Sequence, residues 1–216
     1  MDDIKKELAR IKNTRSVQRT QREKAQIPVV ALVGYTNSGK SALMNRLLSM
    51  SEKEDKAVKE KDMLFATLDT QQRSIQLENN FEFILIDTVG FVSKLPHSLV
   101  EAFKATLEEV NYADLLLHVV DGSYENYDFH IDVTNRVIDE IGAGGKEKIM
   151  VYNKLDLIQE LPVDATECEC VFVSAKYGDH IDELLAKVRE KLFASRVRAR
   201  SEEHTSELQS PQNLVF

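Results

Sequence analysis

The stretch GYTNSGKS at 34–41 follows the apolar run PVVALV (28–33) and precedes an amphipathic segment at about 40–49. A strand, a glycine-bearing loop ending in Gly-Lys-Ser and then a helix constrain the chain more than any other feature in it. Gly34 and Gly39 let the backbone wrap closely, so the amides of Tyr35, Thr36, Asn37 and Ser38 can converge on an anion. The helix that starts there adds its positive end. Lys40 supplies a point charge and Ser41 a hydroxyl suited to magnesium. The pattern implies a phosphate-binding loop in an α/β nucleotide-binding domain.

The rest of the chain fits that frame. Short runs rich in β-branched residues predict strands at 28–33, 72–78, 81–87, 115–121, 148–153 and 170–174. Helical periodicity predicts helices at about 40–49, 98–110, 125–141 and 180–194. Buried runs alternating with helices imply a six-stranded, mostly parallel sheet. The pair 72–78 and 81–87 is joined by Asn79-Asn80, a tight-turn signal, so one edge strand should run antiparallel. GAGG at 142–145 follows a helix and reads as a loop, because no strand precedes it.

Three segments separate along the chain. Residues 1–26 carry Ile4, Leu8 and Ile11 at helical spacing and eight Lys/Arg against four Asp/Glu. They read as a basic helix that is the end of something larger, or one arm of a helical hairpin. Residues 27–199 form the nucleotide-binding domain. Residues 200–216 lack periodicity and read as a disordered, non-native tail, with the biological sequence ending near Ala199.

The net charge of −8 argues against a generally basic nucleic-acid binder; the basic arm at 1–26 reads first as a solvated helix, with contact to RNA phosphates as the alternative. No apolar run reaches membrane-span length and no signal core opens the chain, which points to the cytoplasm. Cys168 and Cys170 read as two buried or half-buried reduced thiols. Nothing suggests an obligate dimer.

The base-reading segment narrows the ligand. Asn153-Lys154-Leu155-Asp156 directly follows an apolar strand, about 110 residues after the phosphate loop. A carboxylate at Asp156 can accept two hydrogen bonds from the guanine edge, a donor pair that adenine lacks. Asn153 braces the loop and Lys154 lays its stem over the ring. Ser174-Ala175-Lys176, after the next strand, covers the far side of the base.

Asp87-Thr88-Val89-Gly90 closes the third strand, where Asp87 can hold a magnesium-bound water and Gly90 can offer its amide to a γ-phosphate. Phe65-Ala66-Thr67-Leu68-Asp69 lies in the loop before the hairpin. Thr67 is the candidate for a second hydroxyl on magnesium, with Thr70 as its rival. The catalytic set is therefore Lys40, Thr67 and Gly90, and the metal set is Ser41 and Thr67. Ras-like GTPases carry a water-orienting glutamine after the glycine. Here that position is Phe91, which can orient nothing. His97, at a helix start, reads as a cap or packing residue, and His118, inside an apolar strand, as a satisfied core histidine.

The segments VALVGYTNSGKSALMNRLL, LFATLDTQQR, ILIDTVGFVSKLPHSLVEAFKATLEEV and ADLLLHVVDGS resemble HflX, a family of ribosome-associated GTPases. The resemblance spans roughly residues 5–195. It implies a Ras-like domain with Ser41 and Thr67 on magnesium and with 34–41, 65–69, 87–90, 153–156 and 174–176 around GTP or GDP. It also implies the large ribosomal subunit as partner, and the splitting or rescue of stalled ribosomes as the role. A hydrophobic residue at Phe91 is ordinary for such a family. Two departures stand out: Asp69-Thr70-Gln71-Gln72-Arg73 replaces the usual DPTTR, and the family's N-terminal domain has no counterpart before residues 1–26, by resemblance the last part of its helical linker, as though the chain were truncated. The expectation is slow GTP hydrolysis stimulated in trans. A non-hydrolysing, GTP-dependent switch module is the alternative, and a kinase or ATPase is disfavoured by Asp156.

Overall fold

A computed structural model describes residues 27–51, 71–78, 81–88, 90–91, 108–158 and 169–208. Expectations for the helix at 1–26, the loop at 65–70 with Thr67, the turn at 79–80, Val89, His97 and Cys168 fall outside those residues. So does most of the helix expected at 98–110.

Six strands form one sheet in the order β2-β3-β1-β4-β5-β6. They are β1 (Val29–Val33), β2 (Gln71–Leu77), β3 (Phe81–Asp87), β4 (Leu115–Asp121), β5 (Lys148–Asn153) and β6 (Cys170–Phe172). All neighbours pair in parallel except β2 and β3. The antiparallel hairpin therefore sits at the edge, as expected. The last strand is shorter than expected. Its run ends at Phe172, and Ser174 instead forms a single bridge to Asp179. That bridge turns the chain back toward the strand ends.

Strand alternation splits the core in two. Val30 and Leu32 point to one face, where Leu43, Met44 and Leu47 of helix α1 (Lys40–Ser49) and Ile181, Leu184 and Val188 of helix α3 (Ile181–Leu208) cover them. Val29, Ala31 and Val33 point to the other, against Phe91, Val110 and Ile138 of helix α2 (Tyr127–Glu140). Apolar cover on both faces explains why the central strands carry continuous rather than alternating apolar runs. After α2, the amides of Gly142 and Ala143 bond back to Asp139 and Ile138, so GAGG does cap a helix.

Two expectations need correction. Helix α3 continues to Leu208, well past residue 194 and into the tail for which no helix was expected. No glycine or proline interrupts the chain between Ile181 and Pro211, so nothing in the local sequence stops the helix earlier. His118 is buried as expected, yet neither ring nitrogen has a hydrogen-bond partner among the described residues. Burial, with the positive charges of Lys148 and Lys40, pushes its pKa down to about 3.

His118 is thus neutral when folded and charges on unfolding below its ordinary pKa of 6.5. Its stabilising contribution is present above that value and lost as pH falls toward 3. Urea titrations at successive pH values should show this loss, at up to about 1.4 kcal/mol per pH unit. In His118→Leu that share of the acid slope should vanish, and at neutral pH the variant should gain about 1 kcal/mol by removing an unsatisfied polar group.

Candidate functional site

The carboxyl ends of β1, β3, β4 and β5 converge on one edge of the sheet, where the loop at 34–39 crosses. Gly39 caps α1 in a left-handed conformation (φ 90°) and makes no side-chain cap, so the first helical amides point outward. The loop's glycines are dictated by close contacts. A Cβ on Gly34 would lie 2.2 Å from the Val119 carbonyl oxygen, and one on Gly39 would lie 2.1 Å from Asn153 Nδ2.

Lys40 curls back inside the loop. Its Nζ donates to the carbonyls of Gly34 (3.0 Å) and Tyr35 (2.8 Å), and only 6% of the residue is exposed. Desolvation lowers its pKa from 10.5 to about 8, with Asp87 opposing the shift. That depression corresponds to about 3 kcal/mol of unfavourable charge burial, which an anion placed in the loop would offset. Ser41 Oγ donates to Asp87 Oδ2 at 2.7 Å, and Asp87 is fully buried. A hydroxyl and a carboxylate held together are hard oxygen donors of the kind magnesium takes. Thr88 Oγ1 donates to the Leu32 carbonyl at 2.6 Å, tying the end of β3 to β1.

On the other side of the loop one side chain joins three segments. Asn153 Nδ2 donates to the Ser38 carbonyl (3.0 Å), while its Oδ1 accepts from the Ala175 amide (3.0 Å). The brace expected of Asn153 is present. Lys154, at φ 65°, places Nζ 2.6 Å from Asp121 Oδ2. Asp156 Oδ1 accepts from Ser174 Oγ at 2.6 Å, which fixes an otherwise exposed carboxylate. Leu155 and Lys176 flank this group, the latter exposed. The structure thus brings together 34–41, 87–88, 90, 153–156 and 174–176.

Four participants escaped sequence reasoning: Arg46, Asp121, His130 and Tyr124. Arg46 on α1 donates Nε to the Ala175 carbonyl at 3.0 Å and a second nitrogen to the Lys176 carbonyl. Its partners lie some 130 residues away, so no local pattern marks it. Asp121 closes the apolar β4 as Asp87 closes β3, and that shared signal could have found it. Tyr35 stacks on His130 of α2 at 3.8 Å, and Tyr124 covers the other side of the ring at 4.5 Å. Burial lowers the His130 pKa, with Asp121 opposing, which favours a neutral ring in the stack. Phe91 is turned away from the loop into the core and is 1% exposed.

A family model described as 50S ribosome-binding GTPase matches residues 29–154. A GTPase HflX of Caldanaerobacter subterraneus subsp. tengcongensis is 47% identical over 190 residues, covering 88% of this chain and 42% of the relative. The chain belongs to this family, among the HflX GTPases. A GTPase HflX of Lacrimispora saccharolytica is 44% identical over 184 residues, again 42% of its length. The chain therefore spans less than half of the HflX relatives it matches. Among solved structures, a GTP-binding protein from Sulfolobus solfataricus in complex with GDP is similar, with a TM-score of 0.60 and 26% identity. The match covers 88% of this chain and 62% of that one. The HflX G domain is thus an α/β P-loop GTPase fold with one antiparallel edge strand.

Lys40 carries a pH signature. The ligand-free site begins to lose its proton near pH 8, whereas a bound polyphosphate would hold it. Affinity for a fluorescent GDP analogue should be flat below that pH and should weaken above it, by up to about tenfold per pH unit. A flat profile to about pH 9.5 would contradict the buried-lysine account.

Proposed function

We propose that this chain binds GTP and GDP through 34–41, 65–69, 87–90, 153–156 and 174–176. In this reading it hydrolyses GTP to GDP and phosphate, slowly by itself and faster on the large ribosomal subunit. The observation that supports it best is the double hydrogen bond of Asn153. It ties the loop suited to phosphates to the two loops suited to a guanine base.

Phosphoryl transfer requires positioning and charge neutralisation more than covalent chemistry. Lys40, fixed by two carbonyls, would meet the β- and γ-phosphates, and the amides of 37–39 and of the first turn of α1 would surround them. Gly90 would offer its amide to the γ-phosphate. Ser41, with Thr67, would hold magnesium, whose charge offsets that developing on the phosphate oxygens. Asp87, bonded to Ser41, would orient that ligand set. Asp156, fixed by Ser174, would read the guanine edge, with Lys154 and Ala175 over its faces.

Where Ras-like GTPases carry the water-orienting glutamine this chain has Phe91, whose side chain is buried in the core. A group supplied in trans would complete the site, an effect worth roughly 10³ to 10⁵ in other GTPases. The family description supports the ribosome as its source, and hence a cytoplasmic role in the splitting or rescue of stalled ribosomes. The same burial favours one competing reading, a switch module that binds GTP without hydrolysing it.

Hydrolysis by the chain, measured in single turnover with and without purified 50S subunits, tests both. Slow turnover that 50S accelerates supports the proposal. Tight GTP binding with no turnover in either condition would replace it with the switch module. Asp156→Asn should weaken GTP by at least about a hundredfold, since charge-assisted hydrogen bonds contribute some 1.5–3 kcal/mol each. The same variant should gain affinity for a xanthine nucleotide, whose edge offers a carbonyl where guanine has an amine.

A further inference from the structure

Phe91 continues the sheet beyond its regular strands. Parallel pairing of β1 and β3 runs from Val29↔Ile84 to Leu32↔Asp87, and resumes at Tyr35↔Phe91. From Leu32 to Tyr35 the β1 side advances three residues and from Asp87 to Phe91 the β3 side advances four, so the register shifts by one residue between the two pairings. The described residues on either side of that shift are pinned. Thr88 Oγ1 donates to the Leu32 carbonyl at 2.6 Å. At the far end the Phe91 amide donates to the Gly34 carbonyl (3.1 Å), and the Thr36 amide donates to the Phe91 carbonyl (2.9 Å). The ring is locked into the apolar cluster with Val29, Ala31, Val33, Ile86, Val110 and Leu116.

Gly90 is thereby pressed onto the phosphate loop. A Cβ there would lie 2.8 Å from Thr36 Cα and 3.1 Å from Lys40 Nζ. The loop is itself held from behind by Tyr35, stacked on His130 and Tyr124.

Resting on the guanine-nucleotide reading above, we propose that Phe91 is a positioning residue for the γ-phosphate. By anchoring the peptide after Gly90 to the phosphate loop and the core, it holds the Gly90 amide beside Lys40 in advance of binding. Distinction of GTP from GDP is then set by a preformed contact, and any rearrangement triggered by the γ-phosphate starts beyond residue 91. A glutamine cannot serve both ends. Buried, its amide would lack partners at a cost of about 1–3 kcal/mol. Turned outward, it would release the anchor that fixes Gly90.

The test compares affinities for GDP and a non-hydrolysable GTP analogue in the wild-type chain, Phe91→Ala, Phe91→Gln and Phe91→Leu, each with a urea unfolding curve. The wild-type chain should bind both nucleotides. In Phe91→Ala and Phe91→Gln the analogue should weaken at least about tenfold relative to GDP, the loss of roughly one charge-assisted hydrogen bond. Phe91→Leu, which refills the cluster, should restore the ratio, and Phe91→Gln carries the comparison if the alanine variant does not fold. Equal weakening of both nucleotides, or an unchanged ratio alongside lower stability, would reduce Phe91 to a core residue and overturn the proposal. A wild-type chain that bound neither nucleotide would overturn the guanine-nucleotide reading itself, and this inference with it.

Discussion

One buried amide group holds the site together. Asn153 lies at the carboxyl end of β5, where its backbone completes the sheet and its side chain is free to turn toward the loops. With one donor on Ser38 and one acceptor on Ala175, it spans loops from opposite ends of the chain. Arg46 repeats the link from α1, reaching the carbonyls on either side of the same peptide segment. Buried polar groups left without such partners cost free energy. The loops are therefore held in register by the same bonds that satisfy them.

The phosphate loop is built around a charge that the fold alone does not favour. Lys40 is desolvated, and two carbonyl dipoles and the nearby Asp87 offset only part of that cost. Such a site is poised for an anion. It suits a domain whose relatives are named GTPases and whose fold neighbour was crystallised with GDP. Phe91 turns its ring into the core while its backbone bonds the loop at Gly34 and Thr36.

Much of this was legible in the sequence because the relevant signals are local. The order strand–loop–helix, the paired glycines, the carboxylate closing β3 and the Asn-Lys-x-Asp turn each occupy a few consecutive residues. The antiparallel edge was readable from one tight-turn pair. What could not be read depended on contacts distant in sequence. Arg46 sits on a helix like any other arginine until Ala175 and Lys176 are brought to it. His118 looked like a satisfied core histidine because periodicity reports burial but says nothing of hydrogen-bond partners. The full length of α3 was missed because residues 201–208 are mostly polar and show no apolar periodicity in sequence, although no glycine or proline breaks them.

The sequence by itself determined that this chain builds an α/β sheet with a phosphate loop and a guanine-type turn. Those features follow from backbone freedom, periodicity and the chemistry of adjacent residues. Only the tertiary structure decided that Phe91 faces the core rather than the ligand, that Lys40 is buried on two carbonyls, and that Asn153 joins the two halves of the site. Side-chain direction at a strand end is not fixed by the local chain. It is set by which face of the sheet the neighbouring elements leave open, and that exists only after they have packed.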